Sequence, residues 1–286
     1  MPSSKVQEIF RSLHRGNAPL LLPNAWDAGS AALIESLGAK AIATTSAGVC
    51  WAQGHADGDI LPVDELVAAA RAIARVVRVP LSVDMEGGYS NEPLAVAELA
   101  ARLIHVGAVG INIEDGAHAP DLLCRKIEAI RRLAGAGVFI NARVDVFLRS
   151  IATGDAAVEA VCRRAEVYQA AGCDGIFVPG LADLPAMSAI AQAIAPLPLN
   201  VMLLPGLPSF EMLHQHGVRR LSAGSALAQA AMGHAARLAT EFLAGHGEAV
   251  FGSPGVGYAT MNALFRGDDV NADPKVSSTG EAPYIT

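Results

Sequence analysis

Charge is scarce in this chain, and lysine scarcest of all. Asp, Glu, Lys and Arg together make up only 17% of its 286 residues, and aromatic residues 5%. The basic side chains are four lysines, Lys5, Lys40, Lys126 and Lys275, against seventeen arginines. Imine catalysis needs a desolvated lysine. These four are expected near a terminus, in a turn, at a helix start and in the tail, which argues against that chemistry. The formal net charge is −7, and no basic cluster is interleaved with aromatics, so a nucleic-acid partner is excluded. No apolar run approaches the roughly 20 residues of a membrane helix. The opening "MPSSKVQEIFRSLHRG" lacks the basic, apolar, small-residue order of a secretory signal. A soluble, cytoplasmic protein with no membrane partner is expected. Cys50, Cys124, Cys162 and Cys173 have no metal-type spacing and are too few for a disulfide framework, so they are expected to be free thiols.

What is abundant is apolar sequence, 52% of the chain, in short runs. Eight of them read as buried strands: Leu20 to Pro23, Ala41 to Thr45, Leu81 to Glu86, Val109 to Asp115, Val138 to Asp145, Gly175 to Pro179, Leu199 to Leu204 and Arg219 to Ala223. Ala-rich stretches such as "VDELVAAARAIARVV", "PLAVAELAARLIHVG" and "DAAVEAVCRRAEVYQAAG" lie between them, the last two closing on a glycine where a helix C-cap belongs. Eight βα units without a linker predict an α/β protein with the (β/α)8 TIM barrel fold, a doubly wound open sheet being the alternative. The barrel is expected over residues 1–251, a post-barrel helical segment over 252–265 and a polar, mobile tail over 266–286.

Barrel enzymes place their chemistry at the C-terminal ends of the strands, and the polar residues of this chain fall there. "PLSVDMEGGYSNEP" sets Ser82, Asp84 and Glu86 on one face of a strand. "GINIEDG" adds Asn112 and Glu114, "FINARVD" adds Asn141 and Arg143, and "GHADGD" adds Asp57 in a loop. Three converging acids need a positive partner. All-oxygen ligation favours Mg²⁺, with Mn²⁺ as a substitute, over zinc. Arg143 can grip a substrate carboxylate through its planar fork. The competing reading is a structural ion-pair network. Asn200 and Asn141 are candidate ligand contacts, Tyr89 is placed to cover the site, and Gly224 and Ser225 read as a helix start. The pairs Arg131-Arg132, Arg163-Arg164 and Arg219-Arg220 are expected to be solvated.

Four motifs in order, "LPNAWDAGSAALIESLGAKAIATTSAGV", "VDMEGGY", "GINIEDG" and "INARVDVFL", make the chain from about Leu21 to Phe251 resemble the isocitrate lyase and phosphoenolpyruvate mutase superfamily. The resemblance is to its compact phosphonomutase-like branch, with methylisocitrate lyase and oxaloacetate decarboxylase among the relatives. It implies a barrel whose eighth helix is exchanged between subunits of a homodimer or homotetramer. It implies that Asp84 contacts Mg²⁺ most directly, that Asp57, Glu86 and Glu114 hold it through water, and that Arg143 binds a small carboxylate substrate. The amides around Thr45, Ser46 and Ala47 would take its other oxygens. The implied chemistry is cleavage or formation of C–C or P–C bonds beside a 2-oxo acid, through a pyruvate-type enolate.

The chain departs from the lyases in the loop after its fourth strand. There a Lys-Lys/Arg-Cys-Gly-His motif supplies their acid, whereas this sequence reads "DGAHAPDLLCRKIEAI". Cys124, His118 and His55 are the remaining candidates for a proton carrier. The expected activity is a Mg²⁺-dependent lyase that cleaves a C–C bond of a small 2-oxo or 2-hydroxy dicarboxylate. The alternatives are phosphonopyruvate-type P–C chemistry and a catalytically silent metabolite-binding barrel.

Overall fold

The architecture follows from the alternation of buried strands and amphipathic helices. The structure, a computed structural model, describes residues 2–266. The expected tail beyond Arg266 lies outside the described residues. Nine parallel strands form one sheet: β1 (Leu20–Leu22), β2 (Asn24–Ala25), β3 (Ile42–Thr44), β4 (Leu81–Asp84), β5 (Gly110–Glu114), β6 (Phe139–Arg143), β7 (Gly175–Val178), β8 (Leu199–Met202) and β9 (Val218–Ser222). Their order, β1-β9-β8-β7-β6-β5-β4-β3-β2, brings the first two segments to the two ends of the sheet. β1 pairs with β9, and β2 pairs with β3. The two are halves of one strand interrupted at Pro23, which has no amide proton to give a ladder. Its carbonyl still accepts from Ala43 N at 3.1 Å. Eight strand positions thus close a (β/α)8 barrel.

The helices are α1 (Ser4–Leu13), α2 (Ala28–Ser36), α3 (Ser46–Ala52), α4 (Val63–Val76), α5 (Pro93–Val106), α6 (Pro120–Ala134), α7 (Gly154–Ala171), α8 (Leu184–Ala193), α9 (Phe210–Gln215), α10 (Ala226–Leu243), α11 (Glu248–Phe251) and α12 (Tyr258–Arg266). Their ends are written locally. Asp27 and Ser30 close a reciprocal capping box on α2, with Ser30 N 2.7 Å from Asp27 Oδ1. Pro93 and Pro120 open α5 and α6, and Gly172 ends α7 in the left-handed region. The main core lies between strands and helices. A smaller apolar cluster fills the N-terminal end of the barrel, where Phe10 of α1 is fully buried against Phe139.

Two expectations, the extent of the third strand and the solvation of the arginine pairs, need correction. The third predicted strand stops at Asp84, and Glu86 lies beyond it at φ +49°, because the chain turns into the Gly87-Gly88 corner. The arginine pairs are not all solvated. Arg131 is tied to Asp174, Arg164 to Asp115, and Arg220 is fully buried inside the barrel because alternation along β9 turns it inward. Within the post-barrel segment, α12 covers Tyr258–Arg266. α10 meets the barrel through its first turn, where Ala228 is its one buried residue, and beside it an apolar groove of about 980 Å³ opens between Leu21, Leu37, Leu203 and Phe210. α12 packs on α2.

Candidate active site

The acids meet at the C-terminal mouth. The parallel register places Asp84 beside Asn112 and Glu114 beside Arg143, so three adjacent strands deliver their polar ends to one level. Asp84 is buried, its backbone N–H donates to Thr44 Oγ1 at 2.9 Å, and its Oδ1 accepts from Glu86 N at 3.2 Å. Burial pushes its carboxyl up from 3.8 to about 6 against the pull of Arg143, with Glu86 and Asp57 adding repulsion. Glu86 is buried too, and its Oε2 accepts from Gly58 N and Asp59 N while its Oε1 takes the Tyr89 hydroxyl at 2.5 Å. Ligand atoms of Asp57, Glu86 and Cys50 lie within 4.8 Å of one another, and Asp57 is exposed. Burial pushes the Cys50 thiol up to about 12, so it stays protonated and leaves the oxygens as the donors. Buried carboxylates whose charge is costly, with oxygen donors only, suit a hard divalent cation.

Arg143 is held more firmly than a free substrate fork would be. Its Nε and Nη2 donate to Asp145 Oδ1 and Oδ2 at 2.6 and 2.9 Å, and its Nη1 touches Glu114 Oε2. Burial opposes its charge, but Glu114 and Asp145 outweigh burial and hold it ionised. Glu114 is pushed up by burial, with Arg143 opposing. Asp145 is fully buried, also accepts from Arg149 Nε, and donates its own N–H to Asp115 Oδ1 at 3.0 Å.

Asp84, Asp57 and Arg143 line a cavity of about 230 Å³ together with Thr45, Ser46 and Ala47 at the start of α3. Gly224 and Ser225 complete it before α10. Asn141 and Asn200 sit just behind the lining: Asn141 Nδ2 donates to Asn112 Oδ1 at 2.9 Å, and Asn200 Oδ1 accepts from Ser222 Oγ at 3.2 Å. On the other side of the Arg143–Glu114 pair, a cavity of about 390 Å³ is lined by Glu114, His118, Tyr89, Lys126 and Arg149. His55 does not join the acids; its Nε2 is 3.3 Å from Glu65 Oε2. Cys124 packs against the core and lines neither cavity.

Several side chains escaped the sequence reading. Asp145 was visible only as the end of "NARVD", and its bond to Arg143 two residues back needs the chain to turn at the strand's end. Asp59, at φ +59°, caps the glycine corner by accepting from Gly87 N and Tyr89 N. Lys126, expected at a helix start, lies in the middle of α6, is buried, and donates to Gly87 O at 2.7 Å. Burial lowers its pKa.

The chain belongs to the phosphoenolpyruvate phosphomutase family, matched over residues 10–243. An uncharacterized protein of Mycobacterium tuberculosis is 39% identical over 240 residues, 81% of this chain and 89% of that one. Oxaloacetate decarboxylase of Pseudomonas aeruginosa is 34% identical over 181 residues, which cover 59% of this chain and 61% of the enzyme. Among solved structures, a candidate phosphonomutase from Burkholderia cenocepacia superposes with a TM-score of 0.79 at 39% identity, covering 83% of this chain and all of its own. Phosphonopyruvate hydrolase, solved with oxalate and Mg²⁺, shares the fold with a TM-score of 0.79 at 20% identity, over 93% of this chain and 95% of its own.

Proposed function

We propose that the protein is a Mg²⁺-dependent carbon–carbon lyase that cleaves a small 2-oxo or 2-hydroxy dicarboxylate to a pyruvate-type enolate. The observation that carries this reading is that the buried Asp84 carboxylate and Arg143 line one cavity of about 230 Å³, a space suited to a small carboxylate. Asp84 would hold the cation, with Asp57, Glu86 and Glu114 supporting it from around the mouth, and Mn²⁺ would serve in place of Mg²⁺. The bound cation supplies Lewis-acid stabilisation of the enolate charge. Arg143, fixed by Asp145 and Glu114, orients the substrate carboxylate. Backbone N–H groups of Ser46 and Ala47, at the start of α3, donate to the remaining carboxylate oxygens, while Thr45 N is already spent on Ala25 O at 3.1 Å. Of the sequence candidates for the acid, His118 alone lines a cavity adjoining the Arg143–Glu114 pair, so the proton return is assigned to that side. The 34% identity to an oxaloacetate decarboxylase supports a 2-oxo dicarboxylate.

A second reading, P–C bond chemistry on phosphonopyruvate-like compounds, is favoured by the 39% identity to a candidate phosphonomutase. The decisive test is a turnover panel with Mg²⁺: oxaloacetate, alkylmalates, methylisocitrate and phosphonopyruvate, with oxo-acid release as the readout. Release from the dicarboxylates supports the lyase, and release from phosphonopyruvate alone replaces it with the second reading. Oxalate binding with Mg²⁺ but no turnover of any compound identifies a silent metabolite-binding barrel. We further propose that the chain works as a homodimer or homotetramer, with α10 of one subunit seated on the apolar groove of another. The exposed Phe242 and Leu243 on α10 and the open groove support this.

A further inference from the structure

Beneath the cavity, the barrel interior is polar where barrels are usually packed with branched aliphatics. Arg220 lies there with no exposed surface. No carboxylate pairs with it among the described residues. Its Nε donates to Ser222 Oγ at 3.1 Å and its Nη2 to Asn112 Oδ1 at 3.3 Å, and Nη1 has no partner. Burial lowers its proton affinity to a pKa of about 9, and Asp84 is the acid that offsets this, so the guanidinium remains charged at neutral pH. A buried cation without an ion pair is expensive, and the strand lattice around it is organised to use it. Asn112 Oδ1 receives two donors, Arg220 Nη2 and Asn141 Nδ2. An amide whose oxygen is taken twice has one group left, its Nδ2–H₂. That group has no protein partner among the described residues, and Asn112 lines the cavity. On the other side, Ser222 Oγ accepts from Arg220 and donates its own O–H to Asn200 Oδ1, and Ser222 also lines the cavity.

We propose that Arg220 is a positioning residue that makes the cavity floor selective for anions: it turns the Asn112 amide so that N–H faces the ligand, and adds an unneutralised positive charge below. The ligand class it selects is a carboxylate whose oxygen accepts from Asn112 Nδ2. This deepens the lyase reading and rests on it for the identity of the ligand, but not for the orientation of the amide.

The test uses the full-length protein and Arg220→Met, Arg220→Lys and Asn112→Asp. Oxalate binding is measured by calorimetry at saturating Mg²⁺, and Mn²⁺ binding without oxalate by electron paramagnetic resonance. Arg220→Met should weaken oxalate binding about tenfold or more, as expected for a lost charge-assisted hydrogen bond. Mn²⁺ binding should hold or tighten, because a like charge near Asp84 has gone; general loosening of the barrel would weaken both. Arg220→Lys should keep oxalate affinity within about threefold, since the charge and one donor remain. Asn112→Asp, which replaces the donor with an acceptor, should lose oxalate about tenfold or more, and this holds the proposal to account if Arg220→Met does not fold. Unchanged oxalate affinity in Arg220→Met or Asn112→Asp overturns the proposal. If the native protein itself binds no oxalate, the lyase reading fails. The side-chain amide resonance of Asn112 in metal-free protein then decides about Arg220. A shift in Arg220→Met restored in Arg220→Lys supports the role, and no shift refutes it.

Discussion

Replacing Asp84 by Asn should make the metal-free protein more stable while removing its response to metal. The folded chain holds this carboxyl at about 6 against 3.8, chiefly because burial disfavours its charge. A carboxyl raised on folding contributes stability that is full below the unfolded value and is lost as pH rises through the folded value. For Asp84 that window runs from 3.8 to about 6, and above it the ionised group weighs on the fold. At about 1.4 kcal/mol per tenfold change in proton affinity, the burden at pH 8 is about 3 kcal/mol. The neutral amide keeps the shape without the charge. Denaturant unfolding with chelator present should therefore show Asp84→Asn more stable than the native protein by up to about 3 kcal/mol at pH 8, with the gap closing towards pH 4. Adding Mg²⁺ with oxalate should raise the melting temperature of the native protein and leave Asp84→Asn unmoved, by mass action on the folded state. A variant destabilised equally at both pH values would show that the carboxylate serves packing and hydrogen bonding, and the cation-site argument would lose its electrostatic basis.

Asp145→Asn should cost about 3 kcal/mol of stability, because it removes the fully buried acid that brackets Arg143 and Arg149. The same variant should weaken oxalate binding, read by calorimetry, since Arg143 loses its orientation. Phe10→Ala should cost about 3–5 kcal/mol in denaturant unfolding, as it opens the plug at the N-terminal end of the barrel. Leu243→Glu on the exposed face of α10 should shift sedimentation from an oligomer towards a monomer, and a native protein that sediments as a monomer would refute the proposed assembly.

The barrel was legible because parallel strands are buried on both faces and read as continuous apolar runs between Ala-rich helices, as "GINI" and "GIFV" show. The acid row was legible for the same reason: a carboxylate closing such a run, like Asp84 or Glu114, cannot be ordinary surface charge. What strand periodicity could not foretell lies where the chain leaves the strand. Glu86 stays with the acids only because the positive-φ corner folds it back under the amides of residues 58 and 59. The inward face of β9 was hidden by "RR", since two adjacent arginines share one pattern whichever of them points inside. Cys124 and Lys126 lie two positions apart on α6, about 200° around a helix. The phase of the helix therefore presents Lys126 to the mouth and turns the thiol into the core, a distinction that residue type alone could not draw.

The interruption at Pro23 also determines how the barrel comes apart. Around most of the circumference each strand is bonded to both neighbours along its own length, but the first strand gives Leu20–Leu22 to β9 and Asn24–Ala25 to β3. Closure of the cylinder therefore hangs on five residues shared between two short ladders. Amide exchange should be fastest along this seam, ahead of the β5–β6 ladder, which runs five residues in register.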